Sequence, residues 1–387
     1  MRLNFYKAEN RESGKFLKQF VWRDSILMDE LVRVGRFAFK AFKNLVKFKI
    51  GKLSPLFASY NVTGRCNLRC AYCDWWRTER LELPTDKALA VIDNVCSLGV
   101  AFFDFSGGEP LLRKDLAFLA KRAALHNCLV SMNTNATLLN QEKASKVADT
   151  FDVVVVSIDG PAECHDKIRG LTGTFQRSVE AIKTLKRHGV RVGVNSVISS
   201  HNIDVFPKFV EEMRGLVDFM QVQPIHPYPP LLENRLPAGK VAALQEHLLA
   251  LKREEPDFLA VPADFIRGFK PFFEGKLSKI CDAGRLYVAI DPAGNLLACG
   301  ARVDLTLGNL LEASAEDILL GKSEGAKNGW VKVASCNGCW LECTVGVSMA
   351  ARNLKEAFQM TELLGAVKRP LHKHAFKGEP QSTRKMV

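Results

Sequence analysis

The sequence has no run of about 18 uncharged apolar residues, which excludes a conventional transmembrane helix. Its first residues, MRLNFYKAEN, contain no apolar signal core followed by a cleavage site, so we expect a cytoplasmic location. No internal repeat or low-complexity tract occurs along the 387 residues. Hydrophobic residues make up 47% and charged residues 25%, proportions that exclude a mostly disordered or fibrous chain.

Positive charge is concentrated at the two ends of the chain. Residues 1–52 hold 13 lysines and arginines against 5 acidic residues, and residues 368–387 hold 6 against 1. The net charge of the whole chain is +12, so the segment between these ends is close to neutral. We therefore expect the ends, and not the main body, to contact a polyanionic surface.

Residues 26–50 predict one amphipathic helix. Its basic residues recur every three or four positions and share one face: Arg33, Arg36, Lys40, Lys43 and Lys47. Its apolar residues lie on the opposite face: Leu27, Leu31, Val34, Ala38, Phe42 and Leu45. This pattern is typical of a helix lying on an anionic membrane. It is equally typical of a helix that packs on its own domain with a solvated basic face.

Six predicted strands alternate with helices between residues 56 and 253. The strands cover residues 56–62, 101–106, 129–135, 152–159, 190–199 and 218–225. Such alternation predicts an α/β fold with a parallel sheet and right-handed crossovers. Six units are too few for an eight-fold barrel and indicate a partial (β/α)6 barrel, with functional loops at the carboxyl ends of the strands. We predict four segments: a basic helical segment, the barrel core, a second cysteine-bearing region, and a C-terminal helix with a basic tail (1–54, 55–255, 256–350 and 351–387).

The chain has 11 cysteines, and their spacing indicates metal binding. An odd count without a signal peptide argues against a disulfide framework. One group is Cys66, Cys70 and Cys73; the other is Cys281, Cys299, Cys336, Cys339 and Cys343. Three thiolates on one loop can hold three irons of a [4Fe–4S] cluster and leave the fourth iron for a small molecule. The alternative is a zinc site, although no fourth ligand is obvious nearby.

The first cysteine group and the segments after it resemble the radical S-adenosylmethionine (radical SAM) superfamily. The resemblance covers about residues 55–230 and lies in CNLRCAYC (66–73), SGGEP (106–110), NTN (133–135), SID (157–159) and Arg169-Gly170. It implies a [4Fe–4S] cluster held by Cys66, Cys70 and Cys73, with SAM bound at the unique iron. It also implies one-electron cleavage of SAM by a low-potential donor such as ferredoxin or flavodoxin. A 5′-deoxyadenosyl radical would then abstract hydrogen from an unactivated C–H bond.

The same resemblance implies roles in SAM binding. Gly107 and Gly108, followed by Pro110, would let the backbone approach the ligand. Glu109 would accept hydrogen bonds from the methionine ammonium, and Arg169 would pair with the carboxylate. The remaining predicted contacts are Ser157 and Asp159 to the ribose, Tyr72 along the adenine, and Asn135 and Asn195. For Asn135 and Asn195, capping of the strand ends is the alternative.

The second cysteine group resembles the SPASM region of radical SAM enzymes and its shortened form, twitch. RLYVAIDPAGNLLAC (285–299) predicts a hairpin with Gly294 in its turn. A full SPASM region holds two clusters and needs about seven cysteines. The twitch plan, as in the aminocyclitol dehydrogenase branch, implies one auxiliary [4Fe–4S] cluster held by Cys281, Cys299, Cys336 and Cys339. Cys343 is then spare, replaces one ligand, or is a redox-active thiol near the substrate; a zinc knuckle is the alternative.

Three interpretations of the function remain open at this stage. The first is an enzyme acting on a lipid or other small molecule at a membrane surface, which the basic helix motivates. The second is a peptide-modifying enzyme, the common use of SPASM-type regions, although residues 1–54 lack the strands of a peptide-recognition domain. The third is a non-enzymatic metal protein that binds nucleic acid through its basic ends. This third interpretation gives no role to the motifs SGGEP, NTN and SID at the ends of the strands, so we do not expect nucleic acid as a partner.

Overall fold

The computed structural model describes residues 35–77, 81–225, 236–276 and 279–353. Within these ranges, nine strands form one sheet: β1 Phe57–Thr63, β2 Phe102–Gly107, β3 Leu129–Thr134, β4 Val153–Ser157, β5 Arg191–Ile198, β6 Phe219–Pro224, β7 Tyr287–Ile290, β8 Asn295–Leu297 and β9 Thr306–Asn309. Their order in the sheet is β6-β5-β4-β3-β2-β1-β7-β8-β9. Neighbours from β6 to β7 are parallel, and the pairs β7–β8 and β8–β9 are antiparallel.

Thirteen helices of the described residues surround the sheet. They are α1 over 35–49, α2 Thr85–Cys96, α3 Leu116–Leu125, α4 Gln141–Ala148, α5 Ala162–Arg169, α6 Thr174–Arg187, α7 Phe206–Met213, α8 Ala238–Glu254, α9 Ala263–Arg267, α10 Phe269–Phe273, α11 Ala315–Leu319, α12 Glu324–Ala334 and α13 Val347–Arg352. The six predicted strands and the partial (β/α)6 barrel are confirmed. The short helix α5 was not predicted, because its eight residues are too few for a clear apolar period.

The strands form where apolar, β-branched residues can be buried from both sides of the sheet. In β4 the four valines Val153–Val156 are all buried, as expected for a strand with helices outside and a filled barrel inside. Polar side chains enter the barrel toward the carboxyl ends of the strands. This distribution places the apolar core at one end of the barrel and leaves the other end for a site.

Helix α1 closes the amino-terminal end of the barrel. Phe37 is buried and packs edge-to-face on Phe102 with ring centroids 5.0 Å apart. Asn44 is also buried, and its Nδ2 donates hydrogen bonds to the carbonyl oxygens of Pro55 and Gly99 at 3.2 and 2.7 Å. The alternative in which the helix packs on its own domain is thus confirmed for residues 35–49. Residues 26–34 of the predicted helix lie outside the described residues.

The predicted faces of α1 need a correction. Ala38 and Phe42, assigned to the apolar face, are exposed, whereas the buried positions are Phe37, Ala41 and Asn44. These three positions are four and three residues apart, so they share one face of the helix. This face is buried although it is only partly apolar, because Asn44 donates hydrogen bonds to two loop carbonyl oxygens that would otherwise be unpaired. An apolar stripe of α1 therefore stays exposed.

The second region extends the sheet of the barrel. Strand β7 pairs in parallel with β1, with Phe57 opposite Tyr287 and Tyr60 opposite Ile290. The predicted hairpin is confirmed: β7 and β8 are antiparallel, and Gly294 in the turn has φ +84°, a conformation that favours glycine. This pairing brings the second cysteine group beside the strand that leads into the first. No helix in the described ranges is long and apolar enough to cross a membrane.

Candidate functional site

A cavity of about 410 Å³ lies inside the barrel toward the carboxyl ends of the strands. Side chains two residues apart on a strand share a face, so alternate positions of β1 to β6 reach it. The polar strand residues that line it are Ser59, Asn61, Asp104, Ser106, Ser131, Asn133, Thr134, Ser157, Asn195, Gln221 and Gln223. The loop after β1 and the segment 341–347 supply further parts of the wall, and apolar side chains such as Val155 and Phe219 line it as well. The cavity therefore has polar side chains from six strands within a largely apolar lining, and it is built from both regions of the chain.

The loop after β1 places all three predicted cluster cysteines on this cavity. Cys66, Cys70 and Cys73 line it together, with Cys70 buried and the other two half-buried. Burial raises the pKa of the Cys66 thiol, and it raises the pKa of Cys73 to about 11. The free thiols of Cys66 and Cys73 are thus protonated at neutral pH, and binding of iron would deprotonate them.

The predicted site residues fit a cluster better than a single metal ion. In the part of the chain that the structure describes, no group of three histidine, cysteine or acidic side chains is arranged to hold one metal ion. A zinc site needs four ligands around one ion. A [4Fe–4S] cluster takes each thiolate on a different iron, which suits three cysteines spread along one loop.

The glycines of SGGEP are required by close packing against the cysteine loop. Gly107 has φ +123°, and a Cβ there would lie 2.5 Å from the carbonyl oxygen of Thr63. A Cβ on Gly108 would lie 2.1 Å from the carbonyl oxygen of Arg65. Both glycines also line the cavity, so the wall next to the cysteines is bare backbone.

Glu109 ties this motif to the end of β3. Its carboxylate is buried and accepts hydrogen bonds from Thr134 Oγ1 at 2.7 Å, the Asn135 amide at 2.8 Å and the Leu111 amide at 3.1 Å. Neither Glu109 nor Pro110 is among the residues that line the cavity. The contact of Glu109 with a methionine ammonium therefore stays a prediction, and the role visible here is to hold the loop.

Asp159 positions two side chains that do reach the cavity. Its carboxylate is 0% exposed, lies 2.8 Å from Arg169 Nε and accepts a 3.0 Å hydrogen bond from the Tyr72 hydroxyl. Arg169 and Tyr72 both line the cavity, as do Ser157, Asn135 and Asn195. Asp159 itself is not among the residues that line the cavity, so its contact with a ribose stays a prediction.

Arg169 brings positive charge to the first cysteine group. Its guanidinium is buried, and Nη1 lies 3.8 Å from the Sγ of Cys70. The charges of Asp159 and Cys70 both raise the pKa of Arg169, so it stays protonated. A fixed guanidinium at this place can pair with a ligand carboxylate or stabilise a neighbouring thiolate.

The five cysteines of the second group come together beside β7. Burial raises the pKa of Cys339, and the charges of Cys299, Cys281 and Cys336 raise it further, so these four thiols lie in the same region of the structure. Cys343 is near the same group, because Cys299 and Cys339 contribute to its raised pKa. Of the five, Cys343 alone lines the cavity. Cys343 therefore belongs to the same region as the other four and differs from them in facing the site.

Sequence reasoning missed two carboxylates of the cavity. Asp104 accepts hydrogen bonds from Ser59, Ser131 and Asn133, and an acid within the apolar strand FFDFSG was a usable signal. Glu342 enters from the π-helical turn Glu342–Gly346 and had no such signal, because only the chain fold brings it to the barrel.

Comparison with known proteins gives sequence relatives of two kinds. A family model described as "Radical SAM superfamily" matches residues 60–220. Fe-coproporphyrin III synthase of Methanosarcina barkeri is 34% identical over 182 residues, which cover 46% of this chain and 45% of that protein. PqqA peptide cyclase of Granulibacter bethesdensis is 28% identical over 263 residues, which cover 65% of this chain and 69% of that protein. The chain thus spans less than half the length of the first relative.

A solved structure shares the fold. SuiB of Streptococcus suis, crystallised with the precursor peptide SuiA, aligns with a TM-score of 0.59 at 17% identity, over 74% of this chain and 70% of that one. At this identity the likeness concerns the fold alone. It extends beyond the segment matched by the family model, so the barrel and at least part of the remaining chain share one architecture.

Proposed function

Because the chain belongs to the radical SAM superfamily of enzymes, which use a [4Fe–4S] cluster and SAM, we propose that it modifies a peptide by radical chemistry. The chemistry that these cofactors supply when bound is a 5′-deoxyadenosyl radical able to abstract hydrogen from an unactivated C–H bond. One observation carries the proposal: a single cavity is lined by all three cysteines of the first group and by Cys343 from the second. Membership in an enzyme family leaves no role for the non-enzymatic, nucleic-acid-binding alternative.

In this proposal the walls of the cavity have distinct tasks. Cys66, Cys70 and Cys73 hold the cluster, and the backbone of Gly107 and Gly108 gives the adjoining surface for SAM. The remaining SAM contacts are Tyr72, Asn135, Ser157, Arg169 and Asn195. Arg169, oriented by Asp159, supplies the positive charge for the methionine carboxylate. The protein's contribution is position and the exclusion of water.

The second cysteine group supports a single auxiliary cluster. We assign Cys281, Cys299, Cys336 and Cys339 as its four ligands, because the first three interact electrostatically with Cys339 and none of the four lines the cavity. Cys343 then faces the substrate and is not a ligand. A cluster with four protein ligands has no open iron, so its task is electron transfer with the substrate or with a donor such as ferredoxin or flavodoxin.

The peptide substrate is inferred from the relatives. The match to PqqA peptide cyclase is longer than the radical SAM domain, whereas the match to Fe-coproporphyrin III synthase covers a smaller share of both chains. Likeness over the longer stretch favours the substrate class of the peptide cyclase over a tetrapyrrole.

The substrate class can be tested by isotope transfer. We expect deuterium to appear in 5′-deoxyadenosine when the reduced holoenzyme with SAM meets a pool of perdeuterated short peptides, because the radical takes its hydrogen from the substrate. Mass spectrometry of the nucleoside measures the transfer. Perdeuterated phosphatidylcholine is the control. Transfer from the lipid and not from the peptides would contradict the proposal.

A lipid or other small-molecule substrate at a membrane is the second candidate, and the exposed stripe of α1 favours it. Phe39 and Phe42 are 67% and 66% exposed, and Val46 and Ile50 continue the stripe. Lysines at positions 43, 47 and 49 lie on the same helix. Each basic side chain near an anionic bilayer contributes about 1 kcal/mol. We propose peripheral membrane contact through this surface.

This contact predicts binding to vesicles that depends on the two phenylalanines. We expect the full chain to co-sediment with vesicles of phosphatidylserine and phosphatidylcholine in equal parts, and the Phe39→Ser/Phe42→Ser variant to bind at least about tenfold less, since a buried phenylalanine is worth about 1.5–3 kcal/mol. Phe118→Ser removes a ring of α3 that is 57% exposed, and this control should leave binding to the vesicles unchanged. Equal binding by all three proteins would exclude the surface.

A further inference from the structure

Asp104 is a buried carboxylate held by neutral groups. It is 3% exposed and lines the cavity at the third position of β2. Ser59 Oγ donates to it at 3.1 Å, Ser131 Oγ at 2.7 Å, and Asn133 Nδ2 at 2.9 Å to both oxygens. No lysine, arginine or histidine of the described residues is recorded in an ion pair with it. Burial raises the pKa of Asp104 to about 6, because a charge in this place has lost its contact with water and has no counter-ion.

Glu342 faces the same cavity from the C-terminal side. Its backbone amide donates to Gln223 Oε1 at 3.2 Å, and its carboxyl group is hydrogen-bonded to Gln221, so strand β6 fixes it from two points. The negative charge of Asp104 is one cause of the raised pKa of Glu342. The two acids, 238 positions apart in the chain, therefore interact within one cavity.

The charges around the cavity do not balance. Arg169 is the one basic side chain among the described residues that line it, and it is already paired with Asp159 at 2.8 Å. Asp104 and Glu342, held in place by neutral groups, form a surface that a positively charged ligand with several N–H donors would complete.

We propose that the substrate carries an amine or guanidinium group that binds between Asp104 and Glu342 and so places its neighbouring C–H bond toward the first cysteine group. In a peptide this group is a lysine or arginine side chain. The inference rests on the proposed function only in taking this cavity as the substrate site. Neither acid is needed to hold the cluster or SAM, so both are specificity-determining residues.

Binding of matched probes tests the inference without turnover. Isothermal titration of the unreduced holoenzyme with SAM compares n-hexylamine with n-hexanol, and Ac-Gly-Gly-Lys-Gly-Gly-NH2 with its norleucine counterpart. Each pair differs in charge and hardly in shape. We expect the charged member of each pair to bind at least tenfold more tightly, as charge-assisted hydrogen bonds are about twice as strong as neutral ones.

Variants assign the preference to the two acids. In Asp104→Asn/Glu342→Gln the preference for the amine should disappear, and in Glu342→Gln alone it should fall severalfold. Glu212→Gln, which removes an exposed acid of α7, should keep it. Iron content and circular dichroism confirm that each variant is folded. If Asp104→Asn/Glu342→Gln does not fold, the preference for the amine is measured in Glu342→Gln alone. We expect this variant to fold, because the side chain of Glu342 lies on the cavity wall and is only half-buried.

The outcomes separate this inference from the proposed function. Equal binding of amine and alcohol would overturn it, and so would a preference that survives in the double variant. A preference for hexylamine over hexanol, combined with no binding of either peptide, would support the cationic site and count against a peptide substrate.

Discussion

Replacement of Cys66 by alanine is expected to abolish 5′-deoxyadenosine formation from SAM and dithionite while one iron–sulfur cluster remains. Cys66 and the four grouped cysteines belong to different parts of the chain, so loss of one thiolate removes one cluster. Iron should fall from about eight to about four atoms per chain, because each [4Fe–4S] cluster contributes four. Iron analysis, EPR of the reduced protein and chromatography of the nucleoside measure the three effects.

A variant of the second cysteine group tests whether the two clusters are lost independently. Cys281→Ala should remove the auxiliary cluster and leave cleavage of SAM in place, and Cys343→Ala should retain both clusters, since Cys343 is not one of the four assigned ligands and faces the cavity. Cys164→Ala, a half-buried cysteine of neither group, is the control. Full iron content in Cys281→Ala, or loss of about four irons in Cys343→Ala, would show that the auxiliary ligands are wrongly assigned.

Substitution of Gly108 by alanine is expected to remove SAM binding and to destabilise the protein. The new methyl group would lie 2.1 Å from the carbonyl oxygen of Arg65, so either the SGGEP loop or the cysteine loop must move. Overpacking of this kind costs about 1–3 kcal/mol of unfolding free energy, and here it also displaces the wall beside the cluster. Urea unfolding and equilibrium binding of SAM measure the two effects.

A second glycine provides the matched control for this prediction. A Cβ on Gly325, in helix α12, would meet nothing within 4 Å, so Gly325→Ala should leave SAM binding unchanged and unfold at the same or a slightly higher urea concentration. Unchanged SAM affinity in Gly108→Ala would mean that the loop adapts without cost, and the assignment of this wall to the ligand would have to be withdrawn.

Positive charge on the substrate would also explain why the barrel tolerates Asp104. A strand of the type FFDFSG gains most of its stability from buried apolar groups, and an acid in its middle lowers that gain. Ser59, Ser131 and Asn133 on neighbouring strands offset part of the cost with hydrogen bonds. Packing alone would favour valine at position 104, yet three polar residues on the two neighbouring strands surround this position.

Local patterns in the sequence were sufficient for the barrel and for the first cysteine group. Alternation of short apolar runs with helical periods predicts six parallel strands, because side chains repeat every two residues in a strand and every 3.6 in a helix. Cys66, Cys70 and Cys73 stand within eight residues of one another, so their meeting at one loop depends on little else. The hairpin around Gly294 could be predicted in the same way, since its turn depends on a few consecutive residues.

Tertiary structure decided which residues share the cavity and which only support it. Asp159 holds Tyr72 and Arg169, and Asp104 interacts with Glu342 across a separation of 238 positions. The spacing of neighbouring residues in the sequence cannot predict such long-range contacts. The buried face of α1 likewise depended on the barrel end that it covers, where Phe37 meets Phe102. A motif specifies the type of chemistry through neighbouring residues, whereas side-chain direction and burial follow from packing between distant segments, which exists only once the sheet has formed.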